Sequence, residues 1–264
     1  MAYAYHANKQ QYFEHQRRVT AEHVLPFIER SWSLPEPARV MEIGCGEAGV
    51  LKAFIDRGCS AVGVDLNQKR LDKGRELLNS EIGAGQLRLV CADIYDSMAQ
   101  DDLGRFDLIV LKDVIEHIDD QQRLLTRLHE FLRPGGTIFF GFPPWLMPFG
   151  GHQQVCRSKF ISAAPYIHLL PTRLYERLLT AAGESPAKID TMLSNKRTGI
   201  TIERFERIAA STGYRTLDKR TYLLNPIYAY RFGVGTREQL PIIDKIPYVR
   251  DLVTTTAYYL LGSH

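Results

Sequence analysis

Three groups of residues have the types and spacing to do chemistry. The first is Glu42-Ile43-Gly44-Cys45-Gly46-Glu47-Ala48-Gly49, a loop with three glycines. Gly44 and Gly46 permit dihedrals and a close backbone approach that a Cβ would block. Where such a loop opens a helix, the free N–H groups favour an anionic group. The second group is a pair of carboxylates. Asp65 lies nineteen residues past Gly46, where it can accept both hydroxyl hydrogens of a ribose, with Leu66 beside it. Asp93, followed by Ile94, suits an adenine amino group. The third group holds titratable side chains: Lys112, Asp113, Glu116 and His117, then His152 after Gly150-Gly151. Asp113, Glu116 and His117 fall at i, i+3 and i+4, one face of a helical turn. That spacing suits a general base with an orienting acid, or a divalent metal; no metal ligand is assigned. His152, on an adaptable backbone, is the other candidate base for a hydroxyl.

These residues sit at the ends of recognisable elements. Ala38–Ile43 is a short apolar run that ends at the glycine loop, and Val50, Leu51, Phe54 and Ile55 then recur at helical spacing. Cys59–Val64, Leu87–Cys91, Phe106–Leu111 and Thr137–Phe142 predict four more strands. The fourth strand of the chain, Phe106–Leu111, is continuous in apolar character, as a strand buried on both faces should be. Leu124, Leu125, Leu128, Phe131 and Leu132 form a helical stripe that Pro134-Gly135-Gly136 ends. Strands alternating with helices predict a parallel sheet covered on both faces. Asp65 and Asp93 then close the second and third strands, and Lys112-Asp113 closes the fourth.

Outside this rhythm, Tyr5–Ser31 reads as largely helical, with Tyr5, Tyr12 and His15 as residues that could cover a site. Pro143–Lys196 is a long excursion with one helix near Thr172–Ala182, the length expected of a lid or binding segment. Trp145, Phe149, Tyr166 and His168 cluster there, either to enclose a flat or lipid-like acceptor or to form the lid's own core. Ile202–Thr212 reads as a helix, Arg215–Leu224 as a strand, and Val253–Leu261 as the last strand. The divisions expected are a helical cover over 1–36, a core over 37–142, a lid over 143–200 and a C-terminal completion of the sheet over 201–264.

Gly44, Gly46 and Gly49 also spell GxGxxG, the dinucleotide fingerprint, so the loop alone fits a nicotinamide-dependent oxidoreductase. Glu42 argues otherwise, because it stands where dinucleotide folds usually keep an apolar residue. Together with Val90-Cys91-Ala92-Asp93-Ile94, Lys112–Ile118 and Leu132-Arg133-Pro134-Gly135-Gly136, it makes four motifs in order, each at a strand end. In these motifs the chain resembles the Rossmann-like (class I) S-adenosylmethionine-dependent methyltransferases, from about Val40 to Phe142. The resemblance implies a seven-stranded, mostly parallel sheet whose last strand is antiparallel. It implies S-adenosyl-L-methionine as cofactor, with Glu42, Gly44, Cys45 and Gly46 on the methionine and ribose side. Asp65 and Leu66 would then serve the ribose, Asp93 and Ile94 the adenine, and Lys112 and Asp113 would lie beneath the sulfonium. The Asp113–Ile118 segment also resembles one in quinone O-methyltransferases. The expected activity is methyl transfer, O-methylation of a small-molecule or lipid-linked acceptor, with His152 or His117 as base. The alternatives kept open are the oxidoreductase and a non-catalytic cofactor-binding protein of the same fold.

Bulk properties narrow the partners. At 264 residues, 45% hydrophobic and 24% charged, the chain is long enough for one core with additions. Residues 1–150 carry 17 basic against 21 acidic side chains and residues 151–264 carry 16 against 9, net −4 and +7. No basic run marks the second part, so nucleic acid is not the expected partner, and a weak membrane-surface contact is the most that its charge suggests. The longest apolar stretch, Thr137–Gly150, is broken by three prolines and too short to span a bilayer. The first ten residues contain no signal-like apolar run, and four cysteines without CxxC spacing fit a reducing, cytoplasmic setting.

Overall fold

The computed structural model describes residues 8–96 and 103–263. Its N-terminal cover begins with α1 (Lys9–Val19), capped by the Asn8 side chain, which accepts from the Gln11 N–H. A π turn over Thr20–Val24 leads into α2 (Leu25–Glu29). The change of register falls beside Pro26, which cannot donate to the helical ladder. The expected helix over Tyr5–Ser31 is therefore jointed, and Tyr5 lies outside the described residues.

The core follows as β1 (Arg39–Ile43), α3 (Gly49–Ile55), β2 (Ser60–Asp65), α4 (Gln68–Leu77), α5 (Asn79–Gly83), β3 (Leu87–Cys91), β4 (Phe106–Lys112), α6 (Gln121–Leu128) and β5 (Leu132–Phe142). The excursion supplies α7 (Lys159–Ala163), α8 (Thr172–Ala181) and α9 (Pro186–Thr198). The chain then closes with α10 (Ile202–Ser211), β6 (Tyr214–Leu224), α11 (Ile227–Phe232), β7 (Arg237–Glu238), α12 (Pro241–Asp244), α13 (Val249–Val253) and β8 (Thr256–Ser263).

The strands form one sheet in the order β3-β2-β1-β4-β5-β8-β6-β7. The first five are parallel, and β8 runs antiparallel between β5 and β6. The seven expected strands are all present, and the sheet has eight. The addition is β7, two residues paired on the outer edge of β6, too short to leave a pattern in sequence. The final strand starts three residues later than expected, because Val249–Val253 turns as α13 first.

Strand alternation sorts the core into two layers. Met41, Ile109, Leu111, Ile138 and Phe140 point to the face covered by α6 and α10, where they meet Leu124, Leu128 and Phe205. Val40, Leu108, Val110, Phe139 and Leu260 point to the other face, where they meet Phe27, Leu51 and Phe54. Phe27 packs edge-on against Phe139 and Tyr258, with ring centroids 5.9 and 5.8 Å apart, and so docks α2 on the sheet. By the same alternation, Glu42 and Lys112 lie on this second face, since Glu42 pairs with Val110 and Lys112 is two residues beyond it. The excursion packs its own small cluster from Ile161, Ile167, Tyr175, Leu179 and Met192. Among the described residues no helix is long and apolar enough to cross a membrane.

Candidate functional site

The glycine loop joins β1 to α3 at the carboxyl end of the sheet, where the topology reverses between β1 and β4. The Gly44 and Cys45 N–H groups donate to the Val64 carbonyl at 2.7 and 3.2 Å. The Gly46 N–H donates to Asp65 Oδ2 at 2.8 Å, and Asp65 Oδ1 accepts from the Asn67 N–H at 2.8 Å. Asp65 thus fixes the loop against the end of β2. Gly44 and Gly46 both have left-handed backbones, φ +71° and +53°. A Cβ on Gly44 would come 2.6 Å from Val114 Cγ2, and one on Gly46 would collide with the Arg70 guanidinium. Gly49 serves packing instead, because a side chain there would strike the Phe13 carbonyl of α1.

Glu42 is 3% exposed, and among the described residues its Oε2 has no hydrogen-bond partner. Burial pushes its carboxyl up to about 8, against the opposing pull of Lys112 and Arg70. Burial pulls the Lys112 ammonium down, but Asp113, Tyr12 and Glu42 outweigh it and leave it above its ordinary value. Lys112 Nζ pairs with Asp113 Oδ2 at 2.6 Å. Cys45 is buried and lines the cavity at the loop, and burial with the nearby Glu42 holds its thiol well above the usual range. Leu66 is 72% exposed beside Asp65. Asp93 is exposed past β3, its Oδ1 accepting from the Tyr95 N–H at 2.9 Å, while Ile94 is buried.

Two residues at the loop have no signal in the sequence spacing. Glu47, 1% exposed, pairs with Lys9 at 2.9 Å and Arg70 at 2.8 Å. This pins α1 and α4 across the loop and lays the Arg70 guanidinium over Gly46. The cavity left there measures about 30 Å³ and is lined by Tyr12, Gln16, Glu42, Gly44, Arg70 and Lys112, among others.

A second cavity, of about 300 Å³, adjoins the first and shares Tyr12, Gln16 and Lys112 with it. Its wall carries Asp113, Glu116, His117 and His152, and it is closed by Phe149, Met147, Tyr228 and Arg231. The structure therefore brings His117 and His152 together, with ring centroids 5.1 Å apart. Asp113 does not share a helical face with Glu116 and His117. Its φ is +58°, its N–H donates to the Gly141 carbonyl, and Ile115–His117 is a separate 3₁₀ turn. Burial and the nearby Asp113 push the Glu116 carboxyl well above the usual range.

Of the lid residues, Phe149 and His152 reach the cavity, and Trp145, Tyr166 and His168 are not among its lining residues. His168 Nε2 bonds the Trp145 carbonyl at 2.8 Å, and burial pushes its imidazole down to about 4. The Tyr166 hydroxyl donates to the Leu252 carbonyl at 2.9 Å. Tyr12 lines both cavities, whereas His15 packs against Tyr230.

Comparison with known proteins agrees with this geometry. A methyltransferase-domain family profile matches residues 12–183, about two thirds of the chain. A ubiquinone biosynthesis O-methyltransferase of Coxiella burnetii is 28% identical over 116 residues, 44% of this chain and 47% of that protein. The chain thus spans about half the length of the first relatives it matches. A ubiquinone biosynthesis O-methyltransferase of Chromobacterium violaceum is 25% identical over 215 residues, 81% of this chain and 83% of that one. Among solved structures, geranyl diphosphate C-methyltransferase from Streptomyces coelicolor, in complex with Mg²⁺, geranyl diphosphate and S-adenosyl-L-homocysteine, superposes with a TM-score of 0.59. It is 13% identical, covering 94% of this chain and 80% of that one, so it speaks for the fold. The dinucleotide reading that the GxGxxG spacing left open gives way to the family match. The chain belongs to the methyltransferase-domain family, and its fold is that of the Rossmann-like, S-adenosylmethionine-dependent methyltransferases.

Proposed function

We propose that this chain binds S-adenosylmethionine across the carboxyl ends of β1 to β4 and methylates a hydroxyl group of a small-molecule or lipid-linked acceptor in the larger cavity. The observation that carries this reading is the pair of adjoining cavities, with Tyr12, Gln16 and Lys112 common to both. When bound, the cofactor supplies a methyl group on a sulfonium, an electrophile that is already activated. The protein's work is then alignment and exclusion of water.

Glu42, whose buried Oε2 has no hydrogen-bond partner among the described residues, fits the cofactor's ammonium. Gly44 and Gly46 form a cradle that side chains would fill, and Arg70 has to swing off Gly46 to admit a ligand. Asp65 keeps lone pairs for ribose hydroxyls after bonding the Gly46 and Asn67 amides. Asp93 and Ile94 flank the position of an adenine, Asp93 exposed and Ile94 buried. In the acceptor cavity, Phe149, Met147 and Ile227 offer an apolar surface, and His152 or His117 takes the hydroxyl proton. The relatives' names, which specify O-methyl transfer in ubiquinone biosynthesis, support a hydroxyl acceptor.

Calorimetry with S-adenosylhomocysteine and with NAD, followed by transfer of labelled methyl to a panel of phenols and catechols, tests the reading. S-adenosylhomocysteine is expected to bind and NAD not to. Binding of NAD alone would overturn the donor assignment. Full turnover in the His117→Ala, His152→Ala double variant would overturn the base assignment.

A further inference from the structure

Glu116 is 5% exposed, and among the described residues neither of its carboxylate oxygens has a side-chain hydrogen-bond partner. A buried polar group left unsatisfied costs about 1–3 kcal/mol, more when charged. The turn that carries it is pinned from the lid. Thr198 Oγ1 donates to the Glu116 carbonyl at 2.6 Å, and Gln121 Nε2 bridges the Ile115 and Thr198 carbonyls at 3.2 and 2.6 Å. The turn is thus fixed where Glu116 lines the acceptor cavity.

Two imidazoles stand beside it. His117 Nε2 is 3.9 Å from Glu116 Oε1, and one donor atom from each of Glu116, His117 and His152 lies within 4.8 Å of the other two. His117 Nδ1 is 3.3 Å from Asn195 Oδ1 on α9. An amide oxygen only accepts, so Nδ1 carries the proton and Nε2 presents its lone pair toward Glu116. Orientation of one ring nitrogen by an outer carbonyl is how metal-binding histidines are held. His152 reaches the cluster from a left-handed backbone, φ +57°, at the start of the Gln153–Val155 turn.

We propose that Glu116, His117 and His152 form a site for a divalent transition-metal ion on the wall of the acceptor cavity. The sequence left open a metal on Asp113, Glu116 and His117; in the set proposed here His152 of the lid stands in place of Asp113. One carboxylate oxygen and two imidazole nitrogens suit Zn²⁺, Mn²⁺, Fe²⁺ or Co²⁺ better than Ca²⁺. Ligands on bonds of about 2.0–2.2 Å sit roughly 3–4 Å apart, so the donors have to close by about 1 Å when an ion binds. The open coordination positions face the cavity, where a hydroxyl acceptor takes one. With the ion bound, His117 and His152 hold it instead of taking a proton, so the acceptor O–H gives its proton to solvent and its oxygen forms the O–CH₃ bond. The C–S bond breaks and its electron pair stays on sulfur, leaving a neutral thioether. That catalytic role rests on the methyl-transfer reading; binding of the ion does not.

The test uses the full chain, stripped with chelator and titrated calorimetrically with Zn²⁺ or Mn²⁺ alone, with no methyl donor or acceptor present. One equivalent is expected to bind. Glu116→Gln and His152→Ala each weaken it at least tenfold, Asn195→Ala weakens it about tenfold through the His117 ring, and His129→Ala, whose ring bonds the Thr212 carbonyl, leaves it unchanged. Affinity for S-adenosylhomocysteine in each variant verifies that the chain is folded. Binding weaker than millimolar, or unchanged in both Glu116→Gln and His152→Ala, overturns the site. A chain that binds the ion but not S-adenosylhomocysteine retires the methyl-donor reading and keeps the metal site; the converse result does the opposite.

Discussion

Replacing Glu42 with glutamine keeps the shape of the side chain and deletes its titration. Burial moves this carboxyl from an ordinary 4.5 to about 8. Each tenfold change in proton affinity is worth about 1.4 kcal/mol, so the ionised form is at most about 5 kcal/mol less stable in the folded chain than in the unfolded one. The folded state binds this proton more tightly than the unfolded state does. Its contribution is therefore full below pH 4.5, declines as pH rises, and is lost above about pH 8. Urea unfolding of the wild type and of Glu42→Gln, followed from pH 5 to pH 9, is expected to give similar stabilities at the acid end. The variant should gain progressively, by several kcal/mol, at the alkaline end.

Ligand binding reads the same group in the opposite sense. An ammonium bound at Glu42 requires the carboxylate, so the wild type has to release the proton first. At pH 7 a group titrating at about 8 is about nine-tenths protonated, and its release weakens binding roughly tenfold. The affinity for S-adenosylhomocysteine should fall from pH 8 to pH 6, and calorimetry in two buffers of different ionisation enthalpy should report about 0.9 proton released at pH 7. The Glu42→Gln variant should bind more weakly and without that proton. Parallel pH–stability profiles, or equal proton release in both proteins, would refute the assignment of Glu42 as a buried, neutral carboxyl awaiting a cation.

Other perturbations address the loop. Gly44→Ala forces a Cβ onto a φ of +71° and toward Val114, and thermal unfolding should show a loss of about 2–3 kcal/mol. Val114→Ala in the same chain recovers the steric part and leaves the dihedral part. Asp65→Ala strips the acceptor from the Gly46 and Asn67 amides, and a loss of about 1–3 kcal/mol is expected on chemical unfolding. Glu47→Gln leaves Lys9 and Arg70 without their shared anion, so amide exchange over residues 9–19 should accelerate; unchanged protection there would mean that the clamp does not hold α1 down.

Local signals made the core legible. Glycine at Gly44 and Gly46 is demanded by left-handed backbone and close packing, and those demands are met by residue type alone. The unbroken apolar run of Phe106–Leu111 announces a strand buried on both faces, and Asp65 closing such a run in β2 places itself at the sheet's carboxyl end. The lid was harder to read. Helix α9 lacks an amphipathic stripe, though Ser185 caps it and Pro186 opens it, both usual signs of a helix start. Trp145 and Phe149 are alike in composition and neighbourhood, yet only Phe149 lines the cavity.

The sequence by itself determined that a strand, a glycine loop and a helix come in that order, with carboxylates at the next two strand ends. These are features of neighbouring residues, written in periodicity and backbone freedom. Only the tertiary structure decided that Arg70 lies over Gly46 and that His152 meets Glu116 and His117. Those meetings join segments far apart in the chain. Their geometry is set by how α1, α4 and the lid pack onto the sheet, and no spacing along the sequence encodes it.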